Sequence, residues 1–312
     1  MGAASVSAAS PVVAEVTRSG FVESVHRGSV AVLGGESRGD VASPVFPRSS
    51  NKPLQTVGML RAGLAPRDES DLALISGSHY GEALHVRRVR EILEAAGLKP
   101  AALRCPASLP LSAQVRDDWL RRQGGPEPIL MNCSGKHAGM LATCVSNGWP
   151  LESYLDPAHP VQRAITEAIA DLAGEPVAAI GVDGCGAPVH AFSLTGLARA
   201  FTRLVETGPG THERRVADEM RAHPELVQGT GGDDTVLMGA VPGLLMKGGA
   251  EGVVVAAVSG VGAVALKIED GGQRARTPVL LDELRRLGVE VPVLEELILG
   301  GGEPVGVVRA VR

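Results

Sequence analysis

Strand-patterned segments at the two ends of the chain, separated by a long helical middle, restrict the fold more than any other feature. Between residues 11 and 34, Val12, Val16, Phe21, Val25, Val30 and Val32 stand among polar residues. Ser19-Gly20 and Arg27-Gly28 mark turns, which is the pattern of a meander. Towards the other end, GVVVAAVSGVGAVALKIEDGG predicts two buried strands joined at Ser259-Gly260, with Asp270-Gly271-Gly272 as the next turn. In between, Val86, Val89, Ile92, Leu93 and Ala96 recur at helical spacing and Gly97 is a natural stop. Stripes over Val161–Leu172 and Leu197–Glu206 are similar, and Asp282–Leu287 predicts a late helix packed on the sheet. The expected class is therefore α+β. Residues 1–80 and 225–312 would share one mostly antiparallel sheet flanked by helices, and 81–224 would form a mainly helical second domain.

Composition excludes several functions. A chain of 312 residues, 44% hydrophobic, has ample material for a buried core. Aromatics are only 3% and the net charge is −5, which disfavours base stacking and any nucleic-acid or anionic-membrane partner. Four cysteines in so long a chain do not make a disulfide framework. The opening MGAASVSAAS has no basic segment ahead of an apolar stretch, so no secretory signal is expected. The most apolar run, Val253 to Leu266, is glycine-broken and too short to span a bilayer. Together these point to free thiols in a reducing cytoplasm.

Four segments carry residues suited to chemistry. In Arg48-Ser49-Ser50-Asn51-Lys52-Pro53, Ser49 and Lys52 are one helical turn apart and would share a face. Pro53 is tolerated in a first turn, which would put Ser49 at a helix start, where free N–H groups stabilise an oxyanion. Ser-x-x-Lys is a nucleophile–base device, yet a cap beside a surface lysine gives the same letters. In Ser76-Gly77-Ser78-His79-Tyr80-Gly81-Glu82, Ser78 is either a proton relay or, with His79, a helix cap. Cys133 and Cys185 both lie in small, glycine-rich turns, and Lys136 follows Cys133 at i+3. Two thiolates are good zinc ligands, with His137, His79 or Asp183 available to complete a site; two buried thiols in tight turns are the plainer reading. Lys247, ahead of Gly248-Gly249, is either an active-site lysine at a strand edge or an exposed hairpin residue.

Taken together, RSSNKP, SGSHYGE, NCSGKHAGM, YLDPAHPVQ, GVDGCGAPVHAFSL, HPELVQGTGGDDT and MKGGAEGV run in one order along most of the chain. In this the chain closely resembles the asparaginase II family, the rhizobial-type L-asparaginases. The resemblance implies a fold like that of serine β-lactamases and glutaminases and an enzyme acting on L-asparagine, with a homodimer as the assembly. It implies Ser49 as nucleophile, Lys52 as its base, and Ser78 with Lys247 as a second Ser–Lys pair. It also implies zinc held by Cys133, Lys136 and Cys185, and a substrate pocket lined by Arg48 and Asp183. The family pattern carries an arginine where this chain has Gly232.

The mechanism so implied makes a physical demand. To accept a proton, Lys52 must lose its charge near neutral pH, a shift that requires roughly 4–5 kcal/mol of differential destabilisation of the ammonium. Burial supplies shifts of that size, so Lys52 is expected to be buried. The competing readings are a glutaminase or a β-lactam or ester hydrolase of the same fold, and a non-catalytic zinc- or ligand-binding protein.

Overall fold

A computed structural model describes residues 10–312, so all of the opening MGAASVSAAS segment but Ser10 lies outside the described residues. The strands are β1 (Val12–Arg18), β2 (Phe21–Leu33), β3 (Pro44–Val45), β4 (Ala179–Val182), β5 (Pro188–Ser193), β6 (Leu244–Gly248), β7 (Val253–Val258), β8 (Gly262–Ile268), β9 (Glu296–Gly300) and β10 (Glu303–Ala310). The helices are α1 (Lys52–Arg61), α2 (Asp71–Ile75), α3 (Ala83–Ala95), α4 (Ala113–Arg121), α5 (Ser134–Asn147), α6 (Pro160–Ala173), α7 (Leu194–Glu206), α8 (His212–Ala222), α9 (Pro224–Val227), α10 (Asp233–Ala240) and α11 (Arg276–Arg286). The fold is α+β.

Both ends of the chain meet in one seven-stranded antiparallel sheet, ordered β6-β7-β8-β2-β1-β10-β9. Consecutive positions of β7 are buried from Val253 to Ala257, so both faces of this part of the sheet are covered. Helices α7 and α11 pack there. Thus α7, which lies in the stretch read as part of a helical domain, rests on the sheet. A second sheet, β3-β5-β4, brings two strands into that same stretch. The composition of residues 179–193 had not suggested strands, because glycine and proline interrupt the pattern.

One expected turn is absent. Arg27-Gly28 lies inside β2, which runs unbroken from Phe21 to Leu33. Gly28 serves close approach instead of a turn: a Cβ there would come within 2.5 Å of the Lys267 carbonyl oxygen on β8.

Helix α1 is the centre of the helical side. It packs on α5, α6 and α8, and all its residues from Lys52 to Leu60 are buried. Burial on every side, with Lys52, Gln55 and Thr56 among the buried residues, makes it a central helix and not a surface one. Gly58 lets α6 approach, since a Cβ there would meet Ile165 Cα at 2.7 Å. The start of this immobilised helix is where the expected chemistry lies. No described helix is long and apolar enough to cross a membrane.

Candidate active site

Ser49 stands in a 3-10 turn, Arg48–Asn51, that runs directly into α1 at Lys52. Arg48 has φ of +53°, the left-handed region that non-glycine residues avoid. Its Nε donates to Asp183 Oδ1 at 2.8 Å, which fastens this strained turn to the loop between β4 and β5. Strain of this kind persists only where the surroundings over-determine it, a feature concentrated at working sites. The Ser50 hydroxyl donates to the Lys247 carbonyl at 3.0 Å. Ser49, by contrast, lines a cavity of about 500 Å³ together with Ser78, Asn132 and Lys247.

Lys52 is fully buried, as its expected role demands. Its Nζ donates to Ser78 Oγ at 3.0 Å and to the Gly77 carbonyl, with the Asn132 carbonyl at 3.5 Å. Burial lowers its pKa from the ordinary lysine value; nearby Cys133 opposes that shift, while Lys136 and Lys247 add to it. No carboxylate is among the charges that act on it most strongly.

Ser78 is held by its backbone. Its N–H donates to the Val227 carbonyl at 2.7 Å, and that of Tyr80 donates to Gln228 at 2.7 Å. Gly77 has to be small, because a Cβ would meet the Val227 carbonyl at 2.6 Å. The capping alternative fails for Ser78 and His79 alike, since α3 is capped by Glu82, whose N–H donates to His85 Nδ1 at 3.1 Å. His79 is buried and braces α5: its Nδ1 accepts from the Gly81 N–H, so Nε2 donates to Ser134 Oγ at 2.8 Å.

The expected Ser78–Lys247 pairing is not the one the side chains adopt. Lys247, on β6, donates from Nζ to Asp234 Oδ2 at 2.7 Å, and both side chains are 1% exposed. The Gly248 N–H donates to the same carboxylate at 2.9 and 3.1 Å. Lysine and serine do pair in this site, but the pair is Lys52 with Ser78. Asp234 went unrecognised because an acid in the first turn of a helix reads as ordinary dipole compensation.

Cys133, Lys136 and Cys185 come together away from the cavity wall. All three are buried, and Lys136 Nζ donates to Cys185 Sγ at 3.3 Å. Cys133 is pushed well above the ordinary thiol range by the neighbouring Cys185 and by burial, and its Sγ donates to Asn132 Oδ1 at 3.4 Å. Cys185 is held far below that range, chiefly by the neighbouring Cys133 and then by Lys136. Burial opposes the charge of Lys136, yet Cys185 and Cys133 outweigh it and raise its pKa. This donor set fits zinc. Lys136 Nζ and Cys185 Sγ are 3.3 Å apart, close to the ~3.5 Å expected between nitrogen and sulfur ligands of one tetrahedral ion, and Cys133 is near enough to act on the Lys136 charge. The lysine is essential to that reading, because nowhere among the described residues do three His, Cys, Asp or Glu side chains gather as a metal site.

At Gly232 the space is already taken. A Cβ there would meet the Gln228 side chain at 2.4 Å, and Gln228 Oε1 accepts the Asp234 N–H at 2.7 Å. A larger residue would displace Gln228 from the start of α10.

The sequence pattern of the L-asparaginase II family matches residues 14–310. None of the curated proteins compared with the chain matches it. Similar solved structures include Mglu in its native form, 14% identical, covering 84% of this chain and 62% of that one with a TM-score of 0.43. This chain therefore spans about 62% of the length of the Mglu structure. A β-lactamase from Mycobacterium bovis is 15% identical over 89% of this chain and 96% of its own, with a TM-score of 0.41. EstCE1, a hydrolase with promiscuous acyltransferase activity, is 14% identical over 86% and 92%, also at 0.41.

Proposed function

The chain belongs to the L-asparaginase II family and is an amidohydrolase, and from that premise we propose that it hydrolyses the side-chain amide of L-asparagine to L-aspartate and ammonia. The observation that carries this reading is a buried lysine without a carboxylate partner, hydrogen-bonded to a serine, beneath a cavity that a second serine also lines. Ser49 Oγ attacks the amide carbon while its proton passes to the neutral Lys52 amine. Collapse of the tetrahedral adduct breaks the C–N bond, and the proton returns through Ser78, the hydroxyl Lys52 contacts, to the departing ammonia. Water then cleaves the Ser49 ester, releasing aspartate and restoring both groups. N–H groups at the start of α1 stabilise the oxyanion.

Purified protein is expected to release ammonia from L-asparagine with kcat/KM roughly 10- to 200-fold above that for L-glutamine, since one methylene is worth about 1–3 kcal/mol of discrimination. Equal rates would replace this reading with a general amidase. Silence on both amides would end it.

Cys133, Lys136 and Cys185 would hold zinc in this reading, with Lys136 as a neutral amine. Bound there, with its charge balanced by the two thiolates, the ion would brace the turns that carry Cys133 and Cys185. The protein is expected to retain about one zinc per chain, and Cys185→Ser to abolish retention. Zinc at a hundredfold its Kd should stabilise the fold by about 2.7 kcal/mol. No retained metal and no shift in thermal midpoint on adding zinc would remove the ion from the account.

A further inference from the structure

Arg48 is the arginine expected in the substrate pocket, but its guanidinium is bonded to Asp183 and it does not line the cavity. Two cations do line it, Lys247 and Arg276. The Lys247 charge is matched at 2.7 Å by buried Asp234. Arg276 has no such partner. Its Nη1 donates to the Gly249 carbonyl at 3.1 Å, and its nearest anion is Asp233 Oδ2, 3.4 Å from Nη2. Asp233 is 42% exposed, and the same oxygen already accepts from the Thr277 hydroxyl. The Arg276 side chain is only 11% exposed, and its Nε is buried without a hydrogen-bond partner. A desolvated guanidinium with an idle donor has unmet demand for an anion, and its planar fork suits a carboxylate.

The backbone is shaped around this group. A Cβ at Gly248 would lie 2.7 Å from Arg276 Nη1, so only glycine lets the guanidinium rest against the strand that carries Lys247. This puts a planar cation in the same cavity as Ser49 and Ser78.

We propose that Arg276 is a specificity-determining residue that holds the α-carboxylate of the substrate and thereby restricts the enzyme to free amino acids. The assignment rests on the asparagine reading given above and deepens it. A neutral α-substituent would leave the guanidinium with only the Gly249 carbonyl and its long contact to the exposed Asp233, so peptide-bound or blocked asparagine would be a poor substrate.

The test compares ammonia release from L-asparagine and from L-asparagine α-N-methylamide, whose only primary amide is in the side chain. In the unaltered protein kcat/KM is expected to be about 10- to 100-fold lower for the methylamide, the range of a lost charge-assisted hydrogen bond. Arg276→Gln should lower asparagine turnover by a similar factor, leave the methylamide within about twofold, and so erase the preference. Arg276→Lys, which keeps the charge without the fork, should restore part of it. Equal loss on both substrates in Arg276→Gln would overturn the assignment alone. So would an unaltered protein that does not distinguish them, a comparison that needs no variant to fold. Absence of ammonia from both compounds would overturn the hydrolytic reading and this assignment with it.

Discussion

Replacing Ser49 with alanine is expected to abolish ammonia release from L-asparagine, with kcat falling by about 10³- to 10⁶-fold, the range for removal of an attacking hydroxyl. The fold should tolerate the change within about 0.5 kcal/mol, because Ser49 is partly exposed at the cavity. The companion variant is Ser78→Ala. Ser78 receives the Lys52 amine at 3.0 Å and so lies on the proton route, where loss of a relay lowers rates by about 10²- to 10⁴-fold. Mass spectrometry of rapidly quenched protein separates the roles: an aspartyl adduct should form on the Ser49 peptide, accumulate in Ser78→Ala if water attack slows, and be absent in Ser49→Ala. The geometry makes this a real contest, since Ser78 and not Ser49 bonds the buried lysine. An adduct on the Ser78 peptide, with Ser49→Ala retaining more than a tenth of the activity, would exchange the two assignments.

Asp234→Ala should produce the largest loss of stability, about 3–5 kcal/mol in chemical denaturation. Asp234 and Lys247 are each 1% exposed and meet at 2.7 Å, so removing either leaves a buried charge without its counter-ion. The carboxylate also accepts the Gly248 N–H, which would lose its acceptor as well. Lys247→Met should be destabilising for the mirror-image reason, stranding the carboxylate. Exchanging both, as Asp234→Leu with Lys247→Met, should recover most of the loss, because a well-packed apolar pair avoids the desolvation of two ions. If Asp234→Ala falls within about 1 kcal/mol of the unaltered protein, water reaches the pair and it is not a buried ion pair.

Much of the site could be read from local spacing. Ser49 and Lys52 are a turn apart at the start of a helix, and Pro53 marks that start. The glycine-rich turns around Cys133 and Cys185 distinguish those thiols from Cys144, which is a buried residue of α5, as its place on an apolar stripe suggests. Arg276 was missed because nothing near it in sequence distinguishes a cavity-lining arginine from a surface one. The absent Arg27-Gly28 turn has a similar origin: a glycine that admits a neighbouring strand and a glycine that turns the chain look identical when the neighbour is 239 residues away in sequence, as Lys267 is from Gly28.

Local sequence was enough for the periodic elements, for strands at both ends of the chain, and for the residue types available for chemistry. Hydrophobic period and turn chemistry are local properties, and they act within a few residues. Partners, by contrast, were chosen by tertiary packing. It joined Lys52 to Ser78, gave Lys247 to Asp234, and turned Arg48 to Asp183 while leaving Arg276 at the cavity. A buried charge takes whichever counter-group packing brings within about 3 Å, and that choice is made between segments up to 135 residues apart, as for Arg48 and Asp183.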